Sequence, residues 1–303
     1  MSPWSRVLWS ACILACALTS GGCQQQRRGP VANAQKAPTE LEQIEALEHR
    51  RSLGSGQLAH WALTSPDAEI RTRALRALAR IQAPQTAEII ASALEDPEPV
   101  PRSEAAFAAG VLGTWSPLPE AVRDQLVEKL LVAEAKETAL PVRQAQLEAL
   151  GTIATSAAVE RLVERLQGSS PELQAQAAMS LGLAARRGAP LPPTAITALS
   201  SLVRAEDSPA GRFGAAYALA MSKLSSARPA LLLCMQDEQS EVRLLCARGL
   251  GDAGTDADAV TLGKGMEDAD WRVAVEATRA LAKLAGRCTG ASCPALDALA
   301  GLT

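Results

Sequence analysis

From about residue 40 onward, apolar residues recur three and four positions apart in short runs, and each run ends at a turn. One example is Val142, Ala145, Leu147, Ala149, Leu150 and Ile153, followed after a break by Val159, Leu162, Val163 and Leu166. Glu160, Arg161, Glu164 and Arg165 fall on the opposite face of the second run, the signature of an amphipathic helix. Two such helices joined by a short turn bury little by themselves. A stable fold therefore requires the pair to recur, and it does.

A turn, a few residues, an Arg and then an Ala-rich helix appear seven times, with the Arg column at 71, 102, 143, 174 (Gln here), 212, 243 and 272. Successive intervals are 31, 41, 31, 38, 31 and 29 residues. The two long intervals contain Ser116-Pro-Leu-Pro119 and Gly188-Ala-Pro-Leu-Pro-Pro193, read as loop insertions between the two helices of one unit. A unit of about 30 residues holds two short helices and no independent core. The fold class predicted is all-α: an α-solenoid, a right-handed superhelix of about seven helical hairpins. Pro66, Pro97, Pro171 and Pro209 each follow Ser or Asp, so they are expected in first helical turns behind a capping side chain. Gly113, Gly151, Gly182 and Gly251 are expected as left-handed caps at the ends of the Arg-bearing helices.

The acidic turn, the Val-Arg step and the Ala-Ala-x-Ala-Leu-Gly helix resemble the short HEAT-like repeats of phycobilisome lyases, over residues 65 to about 300. The resemblance implies a structural role for the column: Arg71, Arg102, Arg143, Arg212, Arg243 and Arg272 would form a ladder with acidic turn residues. Asp96, Asp237 and Asp268, with Glu137 and Glu206, are placed to receive it, and Gln174 should leave a gap. The second helix of each unit usually lines the concave surface of such arrays, which makes Arg161, Glu164 and Arg165 candidates for partner contact.

The totals narrow the function classes. Hydrophobic residues make up 48% of the 303-residue chain and aromatics only 3%, so Ala and Leu build the core, which suits stacked helices. A net charge of −3 with no basic cluster argues against nucleic acid as a partner. No nucleophile–base constellation is visible, no small-molecule substrate is implied, and His49 and His60 read as surface residues beside an N-terminal packing segment (Ile44, Leu47, Leu53, Leu58, Trp61, Leu63). Trp61, Trp115 and Trp271 are open between core and groove positions. Cys288 and Cys293 bracket a short predicted loop and are expected to form a disulfide, whereas Cys234 and Cys246 fall on apolar faces as small core residues. A Cys-x₄-Cys pair without a nearby His offers at most two ligands, so no metal or other cofactor is expected.

The first 23 residues read as an address. Arg6 precedes an apolar run from Val7 to Leu18, shorter than the roughly 20 residues a membrane-spanning helix needs and suited to a signal peptide. Thr19-Ser20-Gly21-Gly22-Cys23 resembles a bacterial lipobox, with Ser20 where that pattern usually has Leu. Cys16 is a second candidate, and an ordinary signal peptide cut near Gly22 is the alternative. The resemblance implies a signal peptide over 1–22, lipidation of Cys23, a flexible linker over 23–40 and the solenoid over 41–303. Gln24, in place of the Asp that favours inner-membrane retention, points to a lipid anchor in the outer membrane facing the periplasm. At the other end, Pro294–Thr303 is short and apolar, as if the chain continued or another module packed there. The start of the array, Ile44–Leu58, resembles exported HEAT-repeat proteins, some of which carry a peptidyl-prolyl isomerase domain after the array. The expected role is thus a non-catalytic scaffold for a protein or peptide partner, with the substrate-presenting arm of such an isomerase as the alternative.

Overall fold

The computed structural model describes residues 37–289 and 292–301, so the expected signal peptide, Cys23 and most of the linker lie outside the described residues. Residues 38–303 form one compact unit. Sixteen α-helices pair into eight hairpins among the described residues. The first hairpin is α1 (Glu40–His49) with α2 (Gln57–Thr64), and the second is α3 (Ala68–Ile81) with α4 (Ala87–Ala93). Next come α5 (Pro99–Gly113) with α6 (Glu120–Lys136), and α7 (Leu140–Ile153) with α8 (Ser156–Leu166). The chain continues through α9 (Pro171–Arg186) with α10 (Pro193–Leu202), and α11 (Pro209–Ser222) with α12 (Arg228–Cys234). It closes with α13 (Ser240–Ala253) and α14 (Ala259–Gly265), then α15 (Trp271–Ala285) and α16 (Pro294–Ala300). None of these helices is long and apolar enough to cross a membrane.

Odd-numbered helices make one layer and even-numbered helices the other, each hairpin packing on the next. Leu and Ala fill the space between the layers: Leu75, Leu78, Leu112, Leu130, Leu150, Leu162, Leu181 and Leu219 are fully buried. Successive odd helices lie against one another along much of their length, while even helices touch their neighbours over shorter stretches. The stack is therefore tight on the Arg-bearing side and more open on the other.

Small residues permit that tightness. Counted from the turn residue that opens each repeat (Ser65, Asp96, Glu137, Gly168, Glu206, Asp237, Asp268), the fourteenth position is always Ala or Gly: Ala79, Gly110, Gly151, Gly182, Ala220, Gly251, Ala282. A Cβ at Gly110 would come within 3.3 Å of Ala149 Cα, at Gly251 within 3.1 Å of Ala280 Cα, and at Gly151 within 2.7 Å of the Ser180 carbonyl carbon. Each of these contacts is made to the next odd helix. This corrects the reading of Gly113, Gly151, Gly182 and Gly251 as left-handed caps: all four are inside helices, and close packing is their role. The left-handed caps are instead Gln82, Ala154 and Lys223, at the ends of α3, α7 and α11.

The proline expectation is corrected at two positions. Pro171 and Pro209 begin α9 and α11, but Pro66 and Pro97 lie within the preceding turns, where Asp67 caps α3 and Pro99 opens α5. The 114–119 and 187–192 segments join the two helices of one hairpin, as the spacing requires.

Candidate functional site

The sixth position after each turn residue holds the ladder. Arg71 donates to Asp96 at 2.7 Å, Arg102 to Glu137 at 2.8 Å, Arg212 to Asp237 at 2.8 Å and Arg243 to Asp268 at 2.7 Å. In each case the partner is the turn acid of the following repeat. A second guanidinium nitrogen of the same arginine donates to carbonyls of its own turn, for example Arg71 Nη1 to Ser65 O and Arg243 Nη1 to Asp237 O. The receiving acid also closes its own turn: Asp96, Asp237 and Asp268 accept the backbone N–H of Glu98, Gln239 and Asp270, two residues on. One rung thus ties together two successive turns and the repeats they open. These pairs are largely buried, where losing one partner costs far more than it does on a surface.

The structure places three members of the column differently. Arg143 turns away from the next turn, which is Gly168-Ser169-Ser170 and has no acid, and binds Glu134. Gln174 makes no side-chain ion pair among the described residues. Arg272 stands at the fourth position after Asp268, not the sixth, which is Ala274. It is accordingly half exposed, paired with Asp270 and with Glu241 of the preceding repeat, and is not a rung.

Glu134, on α6, collects three arginines: Arg143 of α7 and Arg161 and Arg165 of α8, each at 2.8 Å. Its side chain is fully buried. Burial alone would raise its pKa, but hydrogen bonds from Arg165, Arg143 and Arg161 outweigh it and hold the carboxyl at about 2. Arg161 and Arg165, expected as partner contacts, are therefore committed to an internal charge centre, and Glu164 is bonded to Arg161. The missed signal was the register of α6. Its hydrophobic pattern is weak, and nothing in it marks Glu134 as inward-facing.

Polar ties between hairpins then stop. Among the described residues, no side-chain hydrogen bond or ion pair crosses from the α9–α10 hairpin to α7–α8 or to α11–α12. The next ties begin at Arg212 and continue through Arg228–Asp258, Arg243–Asp268 and Arg248–Glu276 to the end.

A groove of about 660 Å³ lies on the Arg-bearing layer over α7, α9, α11 and α13. Its floor is apolar, formed by Ala175, Met179, Pro209 and Phe213, and its edges carry Gln144, Gln176, Gln239, Glu172 and Glu241. Toward either end of the array, the corresponding face is closed by charge: Arg73 and Arg80 on Glu48, Arg76 on Glu104, Arg248 on Glu276. A smaller hollow of about 270 Å³ continues the track toward α5, beside the exposed ring of Phe107. The sequence reading did not find the groove, because its residues are scattered over four repeats.

Both remaining cysteine pairs are bonded. Cys288–Cys293 spans the loop before α16, and Cys234–Cys246 joins α12 to α13 inside the core. Cys234 and Cys246 are buried core residues, as their apolar faces imply, and the second bond supplies a pairing that the sequence leaves open. Cys246 stands on α13 at a position that is Ala in most repeats, and Cys234 stands at the end of α12, so the bond joins two successive hairpins. No group of three or more potential metal ligands occurs among the described residues. His49 and His60 are exposed, Trp61 is buried, Trp115 is half-buried and Trp271 is exposed.

Two layers of hairpins tied by an arginine–acid ladder define an α-solenoid. A family model of HEAT repeats matches residues 55–139, 159–243 and 196–282, and the chain belongs to the HEAT-repeat family. Among solved structures it is similar to the Escherichia coli protein YibA, at 17% identity over 88% of this chain and 98% of that one, with a TM-score of 0.55. It is also similar to the complex of CpcE and CpcF of phycocyanin lyase from Nostoc sp. PCC7120 (18% identity, 71% and 92% covered, TM-score 0.47). Human deoxyhypusine hydroxylase in complex with glycerol is a third (18% identity, 85% and 90% covered, TM-score 0.39). No curated protein matches the chain in sequence.

Proposed function

We propose that this chain is a non-catalytic scaffold that binds a protein or peptide along the Arg-bearing layer. The groove over α7–α13 is the observation that supports this reading. It is an accessible apolar floor on a face that ion pairs cover at several other repeats, so its desolvation by a partner is available to drive binding. The test is selection from a random displayed-peptide library against the full chain. Selected peptides should converge on a shared pattern and lose about tenfold or more in affinity on Phe213→Ala, which removes the largest apolar contact. Failure to converge, or indifference of every selected peptide to Phe213→Ala, would remove the basis for the reading.

We also propose that the scaffold is held at a bacterial membrane, facing the periplasm, through acyl chains on Cys23. The support is the order Arg6, apolar run, small residues, Cys23, followed by a polar stretch to Thr39 that has no helical period. The N-terminal peptide of protein extracted from membranes should begin at Cys23 and carry the added mass of acyl groups, and Cys23→Ala should abolish that added mass. An unacylated chain in the soluble fraction would exclude the anchor.

A further inference from the structure

The groove has a chemical bias that specifies its occupant more narrowly than a partner protein in general. Every ionisable residue that lines it is a glutamate. Glu172 makes no ion pair among the described residues, and its own backbone N–H, with the nearby Ser170 hydroxyl, holds its carboxyl below the usual carboxylate range. Glu241 shares one carboxylate oxygen with Arg272 at 2.9 Å, while the other accepts a hydrogen bond from Ser240 at 3.2 Å. Both glutamates stand at the fourth position after their turns, on α9 and α13, so they occupy one row with the small residue Ala210 of α11 between them.

Adjacent packed helices lie roughly 8–10 Å apart, so two steps separate the carboxylates by about 18 Å. That distance corresponds to five or six residues of extended chain at about 3.3 Å each. Gln176 and Gln239 line the same stretch and Gln144, on α7, extends it beyond Glu172; their amides both donate and accept. Gln176 spends one N–H on Ser180 Oγ at 3.3 Å and keeps its carbonyl oxygen available. Such amides match the free N–H and C=O groups of an extended segment, which a helix would keep for its own hydrogen bonds.

Resting on the reading of this face as a binding surface, we infer that the groove takes an extended peptide segment whose apolar centre is bracketed by two basic residues five or six positions apart. The apolar side chains seat on Met179 and Phe213, and the basic ends meet Glu172 and Glu241.

The probe is a fluorescein-labelled peptide, Thr-Lys-Val-Leu-Thr-Met-Val-Lys-Thr, titrated with the full chain at low salt and followed by anisotropy. The counterpart carries Glu in place of both Lys residues. The Lys peptide should bind about tenfold tighter, with the difference shrinking as salt rises. Glu172→Lys, an exposed change that leaves the fold intact, should remove most of that preference, whereas Phe213→Ala should weaken both peptides. Equal binding of the two peptides, or a preference untouched by Glu172→Lys, overturns the basic-segment assignment. No binding of either peptide overturns it too. Library-selected peptides that remain sensitive to Phe213→Ala would then still support the scaffold reading, so the two failures are distinguishable.

Discussion

Glu134→Ala is expected to destabilise the array by about 3–5 kcal/mol, read as a fall in the urea midpoint of the full chain. The carboxylate is the common acceptor of three guanidinium groups that are each roughly three-quarters buried on their side chains, and among the described residues Arg143 and Arg165 form no ion pair with any other acid. Alanine would leave three cations of like charge crowded together and partly desolvated, a worse state than never having buried them. The same centre makes a pH prediction. The folded pKa of about 2 lies below the ordinary 4.5, so the stabilisation is fully present above about pH 4.5 and is lost as pH falls toward 2. The full difference is on the order of 3 kcal/mol. The variant should therefore lose less stability on acidification than the parent across that window. A midpoint change below about 1 kcal/mol, or an unchanged acid profile, would show that the three arginines find other partners at little cost.

The second large effect is expected at Gly151. Gly151→Leu should cost about 3 kcal/mol or more, because the new side chain must enter space held by the backbone and side chain of Ser180 on α9. A flexible neighbour could yield. A helix backbone cannot without parting α7 from α9, and parting them uncovers Leu147, Leu150 and Leu181 nearby in the core. The stability of a repeat array is approximately a sum of repeat and interface terms. Damage confined to one interface should consequently split denaturant unfolding into two steps and not merely lower a single midpoint. Gly263→Ala is the control: its Cβ would meet only Ala298 Cβ, at 3.9 Å, and removing a glycine from α14 should be neutral or slightly stabilising. If Gly151→Leu proves as mild as the control, the small-residue column is not what sets the spacing of the layer.

Most of the fold was legible because a repeat states its pattern many times, and an error in one copy is outvoted by the rest. The ladder was legible for the same reason, and it failed where copies differ. Arginine was taken as the marker of register, so Arg272 was read as a rung although Ala274 holds that position relative to Asp268. Arg143 has an ordinary place in sequence but no acid in the following turn, so only three-dimensional proximity reveals Glu134 as its partner. Glycines near helix ends look alike whether they cap a helix or admit a neighbouring one, and the distinction lies in which atoms stand opposite. The Cys234–Cys246 bond depends on how the second helix of one hairpin meets the first helix of the next, which periodicity alone leaves open. The groove was the least legible feature. Met179, Phe213, Glu172 and Glu241 are unremarkable singly and become a site only when four repeats are stacked in register.

The gap in polar ties around α9 and α10 has a chemical meaning. An ion pair is lost when acid protonates its carboxylate, whereas contacts among Ala, Gly and Leu keep their strength. The cross-tied stretches on either side, residues 39–166 and 205–289, therefore depend on ionised carboxylates, while α9 is held to α7 and α11 by close packing that is most extensive against α11. The groove is centred on α9 and α11, so acid reaches the cohesion of its surroundings before it reaches its own walls.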